Sequence, residues 1–210
     1  MPVKKEREYR TLVAPLAAQS SGEKRLQSEC YVEGYATTFN APYLLYEFED
    51  GTKIYERIDA HALDSADMSD VIMQYDHEGR VFARTKNGTL ALAADSAGLK
   101  VTADLGGTEI GRQLFAEIKG GYTDKMSFGF TVAEDKRETT RDLENNTVTV
   151  NRTITKIKKL YDVSAVSLPA NDATSISARK FLDGEIERIK AERLQRADTA
   201  TKIKLKLLGV

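Results

Sequence analysis

The sequence predicts a mainly β protein with flanking helices, an α+β fold in which the core strands are mostly antiparallel. Short runs of β-branched and aromatic residues recur along the chain, and turn dipeptides such as Asp50-Gly51 and Asn87-Gly88 separate them. One internal stretch, residues 108–119, has the spacing of an amphipathic helix instead. A second such stretch lies near the C-terminus, at residues 181–196.

The first half of the chain predicts a series of short strands, because its residue types favour extended backbone. Glu49-Asp50-Gly51 predicts a hairpin turn, and Gly34 predicts a bulge or a close approach within a strand. Residues 59–64 predict a short helix or turn, and residues 71–105 a meander of antiparallel strands. The predicted strands are residues 9–14, 30–39, 44–48, 52–58, 71–75, 81–85, 90–94 and 99–105.

The internal helix is predicted by four apolar residues that share one face. Thr108 is its expected N-cap, and Gly120-Gly121 is its expected end. After the helix we expect an exposed polar loop at residues 134–146. The apolar residues of the helix are Ile110, Leu114, Phe115 and Ile118, and the strands that follow it are residues 126–132, 147–157 and 161–168.

A chain of 210 residues suits one domain with tails. We expect a polar N-terminal segment at residues 1–28, the β domain at residues 29–180, and a C-terminal helix and tail at residues 181–210. The chain has 31 Lys and Arg against 32 Asp and Glu, which argues against a protein whose main task is to hold nucleic-acid phosphates. No apolar run approaches a membrane span, and we expect no signal peptide.

Cofactor chemistry has little support in the sequence. The single cysteine, Cys30, excludes an intramolecular disulfide and a metal cage of cysteines. The two histidines, His61 and His77, do not have a recognised metal-ligand spacing, and no glycine-rich nucleotide motif is present. We therefore expect neither a metal nor an organic cofactor.

Three residues suggest nucleophilic chemistry. His77 follows an apolar strand in a turn of acids and glycine, where a rigid scaffold presents reactive groups. Ser127 and Gly129 share a strand face that has no bulk, so a substrate backbone has room to approach there. Asp162 lies with Ser164 on one face of a strand that is otherwise apolar, and a charge there is costly unless it is paired.

A serine nucleophile needs a base within hydrogen-bond reach and a third group that orients the base. The base must be His61 or His77, and the third group a carboxylate such as Asp162 or else the other histidine. Each residue also has a simpler interpretation. His77 could be a solvated turn histidine and His61 a surface or capping histidine. Ser127 could be a small residue in a packed strand, and Asp162 a surface aspartate on an edge strand. Cys30 is expected to be a buried spectator rather than a nucleophile.

Six short segments, taken in order, resemble the phage prohead, or capsid maturation, proteases of the HK97 type. The resemblance covers about residues 30–180. Met126-Ser127-Phe128-Gly129-Phe130 is similar to the nucleophile motif of the family, and Asp76-His77-Glu78 to its histidine motif. The others are residues 32–40, residues 55–58, residues 88–90 with 95–99, and residues 160–171.

The resemblance implies an assemblin-like antiparallel β-barrel and a serine endopeptidase, related to the herpesvirus assemblins. Ser127 matches the nucleophile and His77 the base, while Asp162 stands where the family usually has glutamate. Such an enzyme cleaves the scaffolding region of the major capsid protein, and often itself, inside the assembling prohead in the host cytoplasm. Self-trimming is expected within residues 1–28 and 134–146, and the C-terminal helix is expected to pack on its own core or to form a dimer or docking element.

Two non-enzymatic functions remain open from the sequence. One is a capsid assembly or scaffold protein that keeps the same fold without catalysis. The other is a β-barrel binding module in which Ser127 is only structural. Labelling of Ser127 by a fluorophosphonate that depends on His77 would distinguish the enzyme from both.

Overall fold

The computed structural model describes residues 7–18, 28–49, 51–142 and 147–167, and helical residues at 184, 187–192, 194–196 and 198–199. Eleven strands and one long helix, α1 (Glu109–Lys119), make up most of it. The strands are β1 (Glu8–Pro15), β2 (Ala17–Ala18), β3 (Tyr31–Thr38), β4 (Tyr43–Glu47), β5 (Lys53–Ile58), β6 (Ile72–Tyr75), β7 (Glu78–Arg84), β8 (Leu90–Ala94), β9 (Gly98–Asp104), β10 (Lys125–Asp142) and β11 (Thr147–Val166).

The described strands form two sheets. The larger has seven strands in the order β1-β10-β11-β5-β4, with β6 paired to β11 and β7 paired to β6. The smaller has four strands in the order β2-β3-β9-β8. The mainly β fold with helices is thus confirmed, whereas the expected closed antiparallel barrel is not found among the described residues.

The long strand β11 explains the departure from an antiparallel barrel. Its residues 149–154 pair with β5 and its residues 162–165 pair with β6, and both pairings are parallel. Between β5 and β6 the chain passes through turns at residues 60–65 and continues forward along β11, where Asp67 pairs with Lys159, so both strands run in the same direction. One edge of β11 therefore holds two strands in succession, and the other edge pairs with β10.

Two predictions for the second half of the chain were wrong. Residues 134–142 are the end of β10 rather than a polar loop, and residues 143–146 lie outside the described residues. The strands predicted at 147–157 and 161–168 are one continuous strand, β11. Charged side chains hold this polar ribbon together across the two strands, as in the ion pair of Glu134 with Lys156. Polar composition therefore indicated exposure but not the loss of regular structure.

The predicted meander at residues 71–105 is divided between the two sheets. The hairpin β6–β7 belongs to the larger sheet and the hairpin β8–β9 to the smaller one. A short 3₁₀ turn at Thr85–Asn87, which ends on Gly88 in the left-handed conformation, joins them. The Asn-Gly signal correctly marked a turn, but it could not show that the chain changes sheets there.

The core combines apolar residues from both sheets and from α1. Met126, Phe128 and Phe130 of β10 are buried there, and the last two rings stack with centroids 4.6 Å apart. Helix α1 begins at the predicted cap, since the Thr108 side chain accepts a hydrogen bond from the backbone N–H of Gly111. Burial of each large apolar side chain contributes roughly 1.5–3 kcal/mol.

The described residues between 184 and 199 are helical, as the amphipathic pattern predicted. Ile189 is buried against Leu45, Ile54 and Val150, so this helical segment packs on its own chain. Among the residues that the structure describes, no helix has both the length and the apolar character needed to cross a membrane.

A buried cluster of charged residues attaches β1 to the larger sheet. The guanidinium of Arg10 donates to both carboxylate oxygens of Glu56, at 2.5 and 2.9 Å, and to Glu8 at 2.5 Å. Arg152 donates to Glu56 at 2.7 Å and to Glu8 at 2.9 Å. Burial alone would raise the pKa of Glu56, but the two arginines and a hydrogen bond from Tyr43 hold it below its ordinary value.

Candidate active site

Ser127 lies on β10 between β1 and β11, the first and last of the described strands. In the strand register, Thr11 of β1 is opposite Ser127 on one side, and Ser164 of β11 is opposite it on the other. The serine is fully buried. Alternation along β10 places Met126 and Phe128 in the apolar core, so Ser127 faces the other way, as predicted.

His77 is at the tip of the tight turn that joins β6 to β7. Tyr75 pairs with Glu78, so Asp76 and His77 are the two central residues of the turn, with φ of 47° and 60°. Such left-handed conformations cost about 1–2 kcal/mol for residues other than glycine. The Asp76 carboxylate accepts hydrogen bonds from the backbone N–H and the hydroxyl of Ser167, at 3.1 and 3.0 Å. This anchor fixes the turn, and strained backbone of this kind is common where side chains must be aimed.

The His77 ring bridges Ser127 and Asp162. Nε2 is 2.6 Å from Ser127 Oγ, and Nδ1 makes a short hydrogen bond with Asp162 Oδ1. The carboxylate of Asp162 is buried. A carboxylate at Nδ1 favours the tautomer that carries its proton on Nδ1, and Nε2 is then free to accept the proton of the Ser127 hydroxyl.

The Ser127 hydroxyl has a second acceptor. Its Oγ donates to the backbone carbonyl of Arg10 on β1 at 2.9 Å. A hydroxyl has one proton, so donation to Nε2 of His77 requires that the bond to the carbonyl be given up. The Arg10 carbonyl therefore competes with the imidazole for the Ser127 proton.

Ser164 contacts the same imidazole, and the sequence contains only an indirect signal of this contact. Its Oγ donates to Asp162 Oδ1 at 3.2 Å and lies 3.2 Å from Nδ1 of His77. Alternation had placed Ser164 on the face of Asp162, but not beside the histidine. The contact depends on the parallel pairing of β6 with β11, which sets Tyr75 opposite Ala165.

Replacement of Ser164 by Ala is expected to lower the kcat of the peptide cleavage that the resemblance implies roughly 10- to 100-fold with little change in KM, because one hydrogen bond to the Asp162 carboxylate is lost. The Ser164→Thr variant retains the hydroxyl and is expected to retain most of the activity. Steady-state kinetics of both variants check this, with thermal unfolding as the control for folding. An unchanged kcat in the Ala variant would refute a positioning role.

Tyr9 and Gly129 enclose the carboxylate end of the site. The Tyr9 ring lies over the His77 ring, with centroids 4.2 Å apart, and its own burial together with the charge of Asp162 raises the pKa of Tyr9. A Cβ atom on Gly129 would lie 2.4 Å from Asp162 Oδ2 and 2.6 Å from the Tyr9 ring. Gly129 thus leaves the space that the aspartate occupies. Oδ2 itself is buried without a hydrogen-bond partner among the described residues.

The remaining candidates lie elsewhere. His61 is exposed, and its Nδ1 is 3.1 Å from the carboxylate of Asp64. Of the two histidines, His77 is the one in contact with Ser127 and Asp162. Cys30 is half-buried and packs against the apolar core.

The family comparison agrees with a hydrolytic site. The family model described as caudovirus prohead serine protease matches residues 17–189, which is well over half of the chain. No curated protein and no solved structure matches the chain. The matched range includes Ser127, His77 and Asp162. On the strength of that match, the chain belongs to the caudovirus prohead serine protease family.

Proposed function

We propose that this chain is a serine endopeptidase that cleaves the scaffolding region of the phage major capsid protein, and also itself, during prohead maturation. Membership of the prohead protease family supports the class of reaction and its place in capsid maturation. The single observation that supports the assignment of residues is the imidazole of His77, with Ser127 at Nε2 and Asp162 at Nδ1. We assign these three side chains as nucleophile, base and orienting acid.

In the first half of the reaction, Ser127 Oγ attacks the carbonyl carbon of the scissile peptide bond while its proton moves to Nε2 of His77. The resulting imidazolium is stabilised by the carboxylate of Asp162 at Nδ1. Nε2 then gives the proton to the leaving amine, and the C–N bond breaks. An acyl ester on Ser127 and a free amine are the products of this half-reaction.

In the second half, water takes the position of the departed amine. Nε2 of His77 accepts a proton from the water as the water oxygen attacks the ester carbon. The C–O bond to Ser127 breaks, and Oγ recovers the proton from Nε2. A new carboxyl terminus leaves, and the three side chains return to their starting state.

The proposed place of action is the interior of the assembling prohead in the host cell, where the capsid protein is the partner. The relation to the herpesvirus assemblins belongs to the same proposal, and it rests on the order of the sequence motifs. The mainly β core is compatible with it.

Co-expression with the cognate capsid protein tests the proposal directly. The wild-type enzyme is expected to produce a shortened capsid protein and a shortened protease, both read by intact mass. The Ser127→Ala variant should leave both chains at full length, because no nucleophile is present. Ser96→Ala, at an exposed turn serine, is the matched control and should behave as wild type.

If the capsid protein and the protease are shortened to the same extent with Ser127→Ala as with wild type, the cleavage is due to another protease. If the wild-type chain supports assembly but leaves the capsid protein intact, the non-catalytic scaffold function is favoured instead.

A further inference from the structure

A substrate strand cannot pair with the strand that carries Ser127. At Ser127, β1 occupies one edge of β10 and β11 occupies the other. The first of these is fixed by Glu8 and Arg10, whose charged groups are buried against Glu56 and Arg152. Removal of β1 would leave those partner charges buried and unpaired, which is strongly unfavourable. The cleaved chain must therefore be held by another element near His77.

Strand β7 directly follows His77 in the chain and has one edge that pairs with no other described strand. It begins at Glu78, directly after His77, and among the described strands it pairs only with β6. The first four residues of β7 are exposed. Extended peptides commonly bind by adding a strand to a free sheet edge, because the backbone groups of the edge are available for hydrogen bonds.

A cleft of about 630 Å³ lies between β7 and helix α1. Its apolar wall consists of Phe82 from β7 and of Ile110 and Leu114 from α1. Asp76 and Glu78, the two neighbours of His77 in the chain, also line it, so the cleft continues from the catalytic turn. Concave sites with an apolar wall and a few polar groups are typical of ligand binding.

The charged groups of the cleft are mostly acidic. Asp76, Glu78 and Glu117 line it together with a single cation, Arg80. Glu78 and Glu117 are exposed. The apolar wall can pack against the alkyl stem of a lysine or arginine side chain, and the carboxylates of Glu78 and Glu117 can pair with its charged end.

We propose that this cleft is the substrate-binding site, where the cleaved chain lies as an extended strand along β7 with a basic side chain in the cleft. The inference rests on the proposed protease function and adds the binding element and the class of side chain. It also assigns a role to Glu78, the exposed acid directly after His77, which the reaction itself does not use.

The test compares two variants in which an exposed glutamate becomes lysine. Glu117→Lys changes the cleft, whereas Glu138→Lys makes the same change on the exposed part of β10, away from the cleft. With the cognate capsid protein as substrate, Glu117→Lys is expected to raise KM roughly 5- to 30-fold, since an attraction becomes a repulsion. Glu138→Lys should match wild type, and fluorophosphonate labelling of Ser127 should be equal in all three proteins.

Two further measurements make the result specific. Gln113→Glu adds an acid at the exposed rim of the cleft and should lower KM about two- to fivefold, a gain that misfolding cannot produce. Replacement of the basic residue nearest the cleaved bond of the capsid protein by Glu should impair the wild-type enzyme and restore cleavage by Glu117→Lys.

The cleft assignment would be overturned if KM is unchanged in both cleft variants, or if Glu138→Lys raises KM as much as Glu117→Lys does. Cleavage by the wild-type enzyme would still support the protease function in either case. Absence of cleavage by the wild-type enzyme would instead overturn the proposed protease function. The cleft assignment would then be overturned as well, because it rests on that function.

Discussion

Replacement of His77 by Ala is expected to reduce the rate of capsid-protein cleavage by about 10³–10⁶, because Ser127 loses the group that accepts its proton. Nε2 of His77 is 2.6 Å from Ser127 Oγ, within the range for a direct transfer. His61→Ala is the matched control, since it removes the other imidazole of the chain from an exposed position. The measurement is kcat/KM for cleavage of the cognate capsid protein.

The double variant His77→Ala/Ser127→Ala makes this expectation sharper. Residues that act as one unit are not additive, so the double variant should be about as slow as either single variant. Rate losses that multiply would show that the two side chains act independently. A loss in His61→Ala equal to that in His77→Ala would likewise contradict the assignment.

Replacement of Glu56 by Ala is expected to lower the free energy of unfolding by about 3–5 kcal/mol, which is the usual cost of leaving buried charges without their partner. The carboxylate of Glu56 accepts hydrogen bonds from Arg10, Arg152 and Tyr43, and all would lose it. For a chain of this length the change corresponds to a decrease in Tm of roughly 6–20 °C. Thermal and denaturant unfolding measure it.

Glu47→Ala is the control for this variant. Glu47 pairs with Lys53 at 3.3 Å on the same hairpin, but its side chain is 46% exposed, so the expected loss is below about 1 kcal/mol. Equal destabilisation by the two variants would show that the buried cluster has no special role.

The same cluster predicts the direction of the dependence of stability on pH. The pKa of Glu56 in the folded chain lies below its ordinary value of 4.5, so its stabilising contribution is complete at neutral pH. The contribution is lost as the pH falls below about 4.5 and through the lower folded pKa. Glu56→Gln should show a weaker loss of stability with acidification than wild type over that range.

Local signals in the sequence predicted most of the elements. Gly51 between β4 and β5, the N-cap at Thr108 and the glycines after α1 all mark element ends correctly. These features depend on neighbouring residues only, so one sequence is enough to identify them. The lengths of β10 and β11 were missed because a long ribbon with polar faces has the composition of a loop.

Part of the candidate site was predictable from strand alternation and from the cost of a buried charge, rather than from turn and cap signals. A buried charge such as Asp162 requires a partner, and alternation gave the facing direction of Ser127. The choice of His77 over His61 came from the resemblance, and the contact of Ser164 with His77 was not foreseen. The position of His77 beside Asp162 and its contact with Ser164 both depend on the parallel pairing of β6 with β11, which no local pattern encodes.

The position of Ser127 between β1 and β11 has a consequence for biosynthesis. On the ribosome β10 is synthesised before β11, so β10 lacks its second neighbour until β11 has been made. Ser127 is therefore made before Asp162, and β10 remains an edge strand until β11 pairs with it. Under the proposed assignment, peptide-bond cleavage by a nascent chain is therefore expected to begin only after β11 has been synthesised.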